Sequence, residues 1–150
     1  MINNRKITAS GFIVFRNNNN HPELLGLIAL PKHRKRSKGK YDLPKGRIDE
    51  GETALQAAYR ECFEESGLEQ IKIINNEPLT NGPLALWVGE VSIDDEVHLE
   101  ENPYTGELEH EGYEWISIKD MKKQCLNYLR PFIVKAEPMI WNHFKIWNER

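Results

Sequence analysis

Glu61, Glu64 and Glu65 place three carboxylates within five consecutive residues, and Glu52 and Arg60 stand upstream of them. Like charges one helical turn apart cost about 0.2–0.5 kcal/mol per pair, so a helix that keeps them needs something to offset the repulsion. A divalent cation would do so. Mg²⁺ takes oxygen ligands, accepts a few carboxylates and keeps its other positions for water and substrate phosphate oxygens. Glu61 and Glu65, at i and i+4, can reach one ion. Glu64 is close enough to ligate too, or to take a proton from a metal-polarised water. Arg60 can hold Glu52, or orient the loop, through a planar charge-assisted pair. Three glutamates alone are more often a solvated acidic face, so the elements that carry them must decide.

Those elements are a glycine-bearing loop and a helix over residues 46–68, GRIDEGETALQAAYRECFEESGL. Thr53 followed by Gln56 is a capping-box pattern, in which a hydroxyl and an amide satisfy backbone donors at the helix start. Gly67 is a natural stop. At about 100° per residue, Leu55, Ala58, Tyr59, Cys62 and Phe63 fall on one broad arc, which predicts a packed side. Glu61, Glu64 and Glu65 fall on another, the expected carboxylate side.

The segment as a whole resembles the Nudix box, the loop–helix signature of the Nudix hydrolases. Gly46, Glu52, Arg60, Glu61, Glu64, Glu65, Gly67 and Leu68 fit its register, with Cys62 standing where an aliphatic side chain is usual. Cysteine behaves as a small hydrophobe when buried. The resemblance implies an α+β fold, the Nudix α/β/α sandwich, in which a mixed β-sheet lies between the box helix and a C-terminal helix. It also implies Mg²⁺-dependent hydrolysis of a phosphoanhydride, with Mn²⁺ as a possible substitute. Glu61 and Glu65 would bind metal, Glu64 would ligate or act as base, and Glu52 and Arg60 would hold the loop.

The remaining sequence fits one domain over residues 1–150, long enough for a proper core. Its 39% hydrophobic and 29% charged content is that of a soluble globular protein, and a net charge of −3 argues against a general nucleic-acid coat. Two cysteines far apart, Cys62 and Cys125, argue against a disulfide framework and favour a reducing compartment. Neither a secretory leader after MINNRK nor a bilayer-length apolar run is apparent, so the expectation is a cytoplasmic protein without a membrane partner.

Residues 7–15, ITASGFIVF, read as a first strand with a bulge at Gly11, and residues 24–30, LLGLIAL, as a second, with a polar hairpin loop over residues 17–20 between them. Residues 31–47 read as a basic loop leading into the box. Its Arg34 and Lys40, together with Lys45, are expected to meet substrate phosphates. The Leu43-Pro44-Lys45-Gly46 run is similar to the corresponding segment of diadenosine polyphosphate hydrolases and their Nudix relatives. Short strands are expected over residues 71–74 and 84–91, with Trp87 in the core, and an acidic loop over residues 94–106.

Residues 109–118, EHEGYEWISI, read as a further strand. Glu109-His110 looks like the Glu-His pair of the diadenosine polyphosphate hydrolase branch, which makes Glu109 the expected outlying metal ligand and Glu111 its competitor. His110 is either a proton carrier or, by default, a surface histidine. A short helix over residues 119–126 and a helix over residues 131–147, interrupted or kinked near Pro138, complete the chain. Phe132, Ile133, Met139, Ile140, Phe144 and Trp147 form the latter's packing stripe, and Tyr128 is the expected nucleobase contact.

The substrate expected from these features is a small nucleotide, best a dinucleoside polyphosphate such as diadenosine tetraphosphate. An RNA 5′-triphosphate end or an inositol pyrophosphate would suit an equally basic loop. A nucleotide sensor without turnover is the contrasting reading, and a lost glutamate would have supported it. None is lost.

Overall fold

A computed structural model describes residues 6–148, with side chains as far as Lys145. In chain order the elements are β1 (Ala9–Asn18), β2 (His21–Ala29), α1 (Pro31–Ser37), β3 (Tyr41–Asp42), β4 (Lys45–Arg47), α2 (Ala54–Ser66), β5 (Lys72–Ile73), β6 (Leu79–Asn81), β7 (Leu84–Val91), β8 (His110–Ile116), α3 (Ile118–Gln124) and α4 (Arg130–Asn148). A short 3₁₀ turn, Asn127–Leu129, links the last two helices. The MINNR segment read above for a leader lies outside the described residues.

The strand β1 organises the layers. Strand side chains alternate between faces, and in β1 both faces are apolar. Phe12 and Val14 pack with Leu25, Leu27, Ala58 and Cys62 on the α2 side. Ile13 and Phe15 pack with Leu24, Ile133, Ala136, Ile140 and Phe144 on the α4 side. The result is a sheet with α2 on one face and α3 and α4 on the other, the α/β/α arrangement expected. The two cysteines are free and buried on opposite sides of it.

The sheet is mixed because β1 pairs in parallel with β7, whereas the pairings of β1 with β2 and with β4 are antiparallel. β1 and β2 meet at a two-residue hairpin. Asn19 and Asn20 both take positive φ, 52° and 66°, as a turn matched to the strand twist requires. The polar run is therefore a tighter turn than expected, and both strands run further toward it.

One edge of β1 is divided. Phe15 to Asn18 pair with β2, and Ala9 to Gly11 pair with β4, with the Phe12 N–H donating to the Pro44 carbonyl at 3.0 Å between them. Gly11 is no bulge. A Cβ there would run into the Pro44 carbonyl and the Lys45 backbone, so glycine is what lets the box-bearing segment cross so close. The register shift among these strands falls instead at Ile28/Ala29 of β2, opposite β8.

Two other expectations need correction. The basic segment is not a loop throughout: Pro31 opens α1, where a missing N–H and a fixed φ suit a first helical turn, and Lys38 closes it in the left-handed region. Lys, Arg and Ser then supply ordinary helical residues, a propensity that the charge density obscured. α4 runs through Pro138 without the interruption that was one of the two expected alternatives there. Trp147, expected in its packing stripe, has a side chain outside the described residues.

On α2 the packed and acidic sides are rotated from the expected arcs. Ala58, Cys62 and Glu65 fall at i, i+4 and i+7, one stripe of a helix, and all three are buried. Phe63, expected to pack, is 50% exposed. Among the described residues no helix is long and apolar enough to cross a membrane.

Candidate active site

The capping box forms as the sequence suggests. Thr53 Oγ1 accepts from the Gln56 N–H at 3.1 Å, and Gln56 Oε1 accepts from the Thr53 N–H at 2.8 Å. This fixes where α2 begins, and so how its carboxylates face the loop before it. Gly67, with φ of 77°, ends the helix by donating to the Phe63 carbonyl at 2.8 Å.

Arg60 is the hub of that loop. Its Nε and Nη2 donate to the two oxygens of Glu52, at 2.7 and 2.9 Å, in the bidentate geometry that matches guanidinium to carboxylate. Nη2 also reaches the Arg47 carbonyl at 2.9 Å, while Nη1 lies 3.0 Å from Glu61 and 3.3 Å from Glu64. Glu52 in turn accepts from the Asp49 N–H at 2.8 Å. The Arg60 hydrogen bonds, backed by that Asp49 N–H, hold the Glu52 carboxyl below its usual range. Glu61 packs against Gly46, where any Cβ would meet its carboxylate.

Behind Glu65 lies a row of ionisable groups, buried but for the half-buried Lys45. Lys45 Nζ donates to Asp42 Oδ1 at 2.9 Å, His110 Nε2 lies 3.0 Å from Asp42 Oδ2, and His110 Nδ1 lies 3.8 Å from Glu65 Oε1. His110 is 6% exposed and not a surface residue, because β8 carries it inward against β2 and the row receives its ring. The other oxygen of Glu65, Oε2, is buried with no hydrogen-bond partner. Burial alone would raise the Asp42 carboxyl, but the Lys45 charge and His110 outweigh it and hold it down to about 2. Burial pushes Glu65 well above its usual range, and the Asp42 charge adds to the rise against the opposing pull of Lys45.

These opposite shifts predict a pH profile for stability. The folded state keeps a proton on Glu65 that the unfolded chain releases above about pH 4.3, so stability falls as pH rises from there, by at most about 1.4 kcal/mol per unit. Asp42 acts in the other direction: its contribution is present above about pH 3.9 and is lost as pH falls toward about 2. Urea denaturation of the chelator-treated protein at a series of pH values should show the alkaline decline. Glu65→Gln should flatten it.

Glu64, Glu65, Glu109 and His110 line one recess with Asn102, and Asn102 Nδ2 donates to Glu109 Oε1 at 2.8 Å. Glu111 faces elsewhere and pairs with Arg34 at 3.3 Å. The recess opens into a cleft of about 410 Å³, whose walls include Lys32, His33, Asp42, Lys45 and Tyr128. Lys45 Nζ sits 5.3 Å from the centre of the Tyr128 ring. Arg34 and Lys40, expected at the substrate, do not line this cleft. Arg34 also donates to the Ala29 carbonyl, and Lys40 is paired with Glu114 at 3.1 Å.

All the carboxylates of the recess and box are oxygen donors, the set that suits a hard divalent ion, and the orphaned Glu65 Oε2 is a buried atom such an ion would satisfy. Among the described residues no three His, Cys, Asp or Glu side chains are gathered tightly enough to hold an ion as they stand. Glu61 and Glu64 are drawn to Arg60, and Glu109 to Asn102. Sequence reasoning missed Asp42 and Asn102. Asp42 had one local signal, its position three residues before Lys45, whereas Asn102 meets Glu109 only through the loop's fold.

Comparison with known proteins places this geometry. The NUDIX domain model matches residues 6–134. A crystal structure of C. elegans Ap4A hydrolase in a binary complex superposes with a TM-score of 0.70 at 26% identity, covering 89% of this chain and 98% of that one. An RNA pyrophosphohydrolase of Bartonella tribocorum is 26% identical over 120 residues, 65% of this chain and 68% of the relative. A second, from Helicobacter pylori strain P12, is 50% identical over 40 residues, about a quarter of either chain. With its box residues in register on α2 and its sheet between two helical layers, the chain belongs to the NUDIX domain family of phosphoanhydride hydrolases.

Proposed function

We propose that residues 1–150 act as a single domain that hydrolyses a phosphoanhydride in a dinucleoside polyphosphate such as diadenosine tetraphosphate, with Mg²⁺ or Mn²⁺. The observation that carries this reading is the two-sided cleft. Carboxylates from α2 and the edge of β8 form one side, and Lys45 and Tyr128 form the other. About 410 Å³ is room for a nucleotide-sized group. The likeness to C. elegans Ap4A hydrolase supports the substrate class.

Glu61, Glu65, Glu64 and Glu109 would hold the ion. When bound, it supplies Lewis-acid polarisation of a phosphoryl oxygen and a more acidic water. Glu64, 40% exposed at the side chain, is positioned to take the proton of the attacking water. Glu52 and Arg60 fix the loop. Lys45 spends one N–H on Asp42, which leaves two further donors for a phosphate oxygen. Its charge then offsets the one that develops on the leaving group.

Tyr128 is 44% exposed and also borders an apolar alcove formed with Ala9, Pro83, Leu84 and Phe132. It is the base-stacking residue in this reading. Since stacking is worth about 1–3 kcal/mol per base, Tyr128→Ala should raise KM about tenfold or more and leave kcat within about twofold. Initial-rate kinetics on diadenosine tetraphosphate measure both.

A second reading has its own support. Lys32 and His33 line the cleft, and Lys35, Arg36 and Lys38 continue exposed along and just past the same helix, a basic track leading away from the site. That track and the RNA pyrophosphohydrolase relatives favour a 5′-triphosphorylated RNA end. Anion-exchange analysis of products separates the readings, using diadenosine tetraphosphate, nucleotide sugars, ADP-ribose, nucleoside triphosphates, inositol pyrophosphate and triphosphorylated RNA. ATP plus AMP formed well above all other products supports the first. Pyrophosphate from RNA alone, with steep salt dependence, moves the assignment to RNA ends. Turnover of inositol pyrophosphate alone moves it there, and silence across the panel favours a sensor.

A further inference from the structure

The ring of His110 is held between two carboxylates, and only one of them belongs to the proposed reaction. Asp42 has no oxygen to spare. Its Oδ1 accepts from the Leu43 N–H at 2.8 Å and from Lys45 Nζ at 2.9 Å, and its Oδ2 faces His110 Nε2 at 3.0 Å. A carboxylate so surrounded can only accept, which puts the proton of that ring edge on Nε2. The ring is thereby oriented, and its other edge, Nδ1, is turned to Glu65 Oε1 at 3.8 Å. About half an ångström of closure, with one proton held between Nδ1 and Oε1, makes that contact a hydrogen bond. Glu65 Oε2, on the far side of the same carboxylate, is the buried oxygen without a partner.

We propose that His110, fixed by Asp42, is a positioning residue that steadies Glu65 through Oε1 and so commits Oε2 to the divalent ion. This rests on the reading of Glu65 as a ligand. His110 is 6% exposed with both nitrogens facing carboxylates, so it acts through Glu65 and not on the substrate. Residues that orient a ligand from behind typically change metal affinity 10–100-fold when replaced. The assignment gives a function to the row Lys45–Asp42–His110–Glu65, which four separate elements of the chain, β4, β3, β8 and α2, converge to build.

Mn²⁺ binding to the intact protein, followed by electron paramagnetic resonance without substrate, tests it. The amide of glutamine reaches toward the place of Nε2 and keeps the Asp42 contact, whereas that of asparagine lies near Nδ1 and keeps the Glu65 contact. His110→Gln should therefore bind Mn²⁺ about 10–100-fold more weakly, with excess ion restoring kcat. His110→Asn should remain within about fivefold of wild type. In a Glu65→Gln background, His110→Gln should cost no further affinity. Equal losses for Gln and Asn, no loss for either, or an undiminished loss in the Glu65→Gln background would each overturn the proposal. Should His110→Gln fail to fold, His110→Phe keeps the ring's bulk without either nitrogen and carries the same expectation and the same test in the Glu65→Gln background. Glu65→Gln binding Mn²⁺ as tightly as wild type would instead remove the ligand reading itself.

Discussion

Replacing Glu65 by glutamine is expected to lower kcat about a thousandfold or more while leaving the protein at least as stable as before. The two effects have one cause. A thousandfold corresponds to about 4 kcal/mol of transition-state stabilisation, the scale on which a lost ligand charge is felt when an ion clamps a transferring phosphoryl group. In the fold, the same charge is a burden: Glu65 is 7% exposed, one oxygen is orphaned, and burial pushes its pKa up. A neutral amide of the same shape relieves that cost. Turnover at saturating Mg²⁺, alongside urea denaturation at pH 8 with chelator, gives the two numbers. A variant that keeps its rate but unfolds earlier would reverse both signs and return Glu65 to a structural role.

The second large effect is expected at Gly46. Alanine there should cost about a hundredfold in kcat, or about 2.7 kcal/mol, with a stability loss of no more than about 1–2 kcal/mol. An added Cβ would meet the Glu61 carboxylate, the far end of a flexible side chain, and not rigid backbone. The strand can stay where it is. Glu61 cannot, and it must leave the position that Arg60 Nη1 fixes at 3.0 Å. The comparison with Gly11→Ala is informative, because there the obstruction is the Pro44 carbonyl and the Lys45 main chain. That variant should lose stability and activity together, whereas Gly46→Ala should separate them.

What could be read from the sequence was what short stretches of chain decide. Thr53 and Gln56 need only each other to start α2, and Gly67 needs only its own φ to end it. The β-branched and aromatic residues of β1 mark it as a strand, and residues 84–91 form β7 as expected. Glu65 was misread because an arc drawn on an isolated helix has no fixed zero. What faces the sheet is set by the stripe of Ala58 and Cys62, and Glu65 continues it. His110 was misread for another reason. Its partner Asp42 lies 68 residues away, and only the pairing of β2 with both β3 and β8 brings them together. Arg34 and Lys40 were sensible phosphate contacts by charge, but Glu111 and Glu114 on β8 claim them.

The parallel pairing of β1 with β7 joins Ala9 to Leu84 and Arg16 to Val91, residues half the chain apart. On a ribosome this imposes an order. The whole Gly46 to Leu68 signature is synthesised while β1 still lacks its neighbour on that side. At about 5–20 residues per second, the segment from Leu68 to Val91 takes roughly one to five seconds to appear. Through that interval the nascent chain carries the box carboxylates, without Glu109 or Tyr128, beside a strand with one unpaired edge that is open to a strand from another chain. Synthesis of β7 closes it, so the strand that seals β1 is made after the box and before Glu109, His110 and Tyr128 complete the cleft.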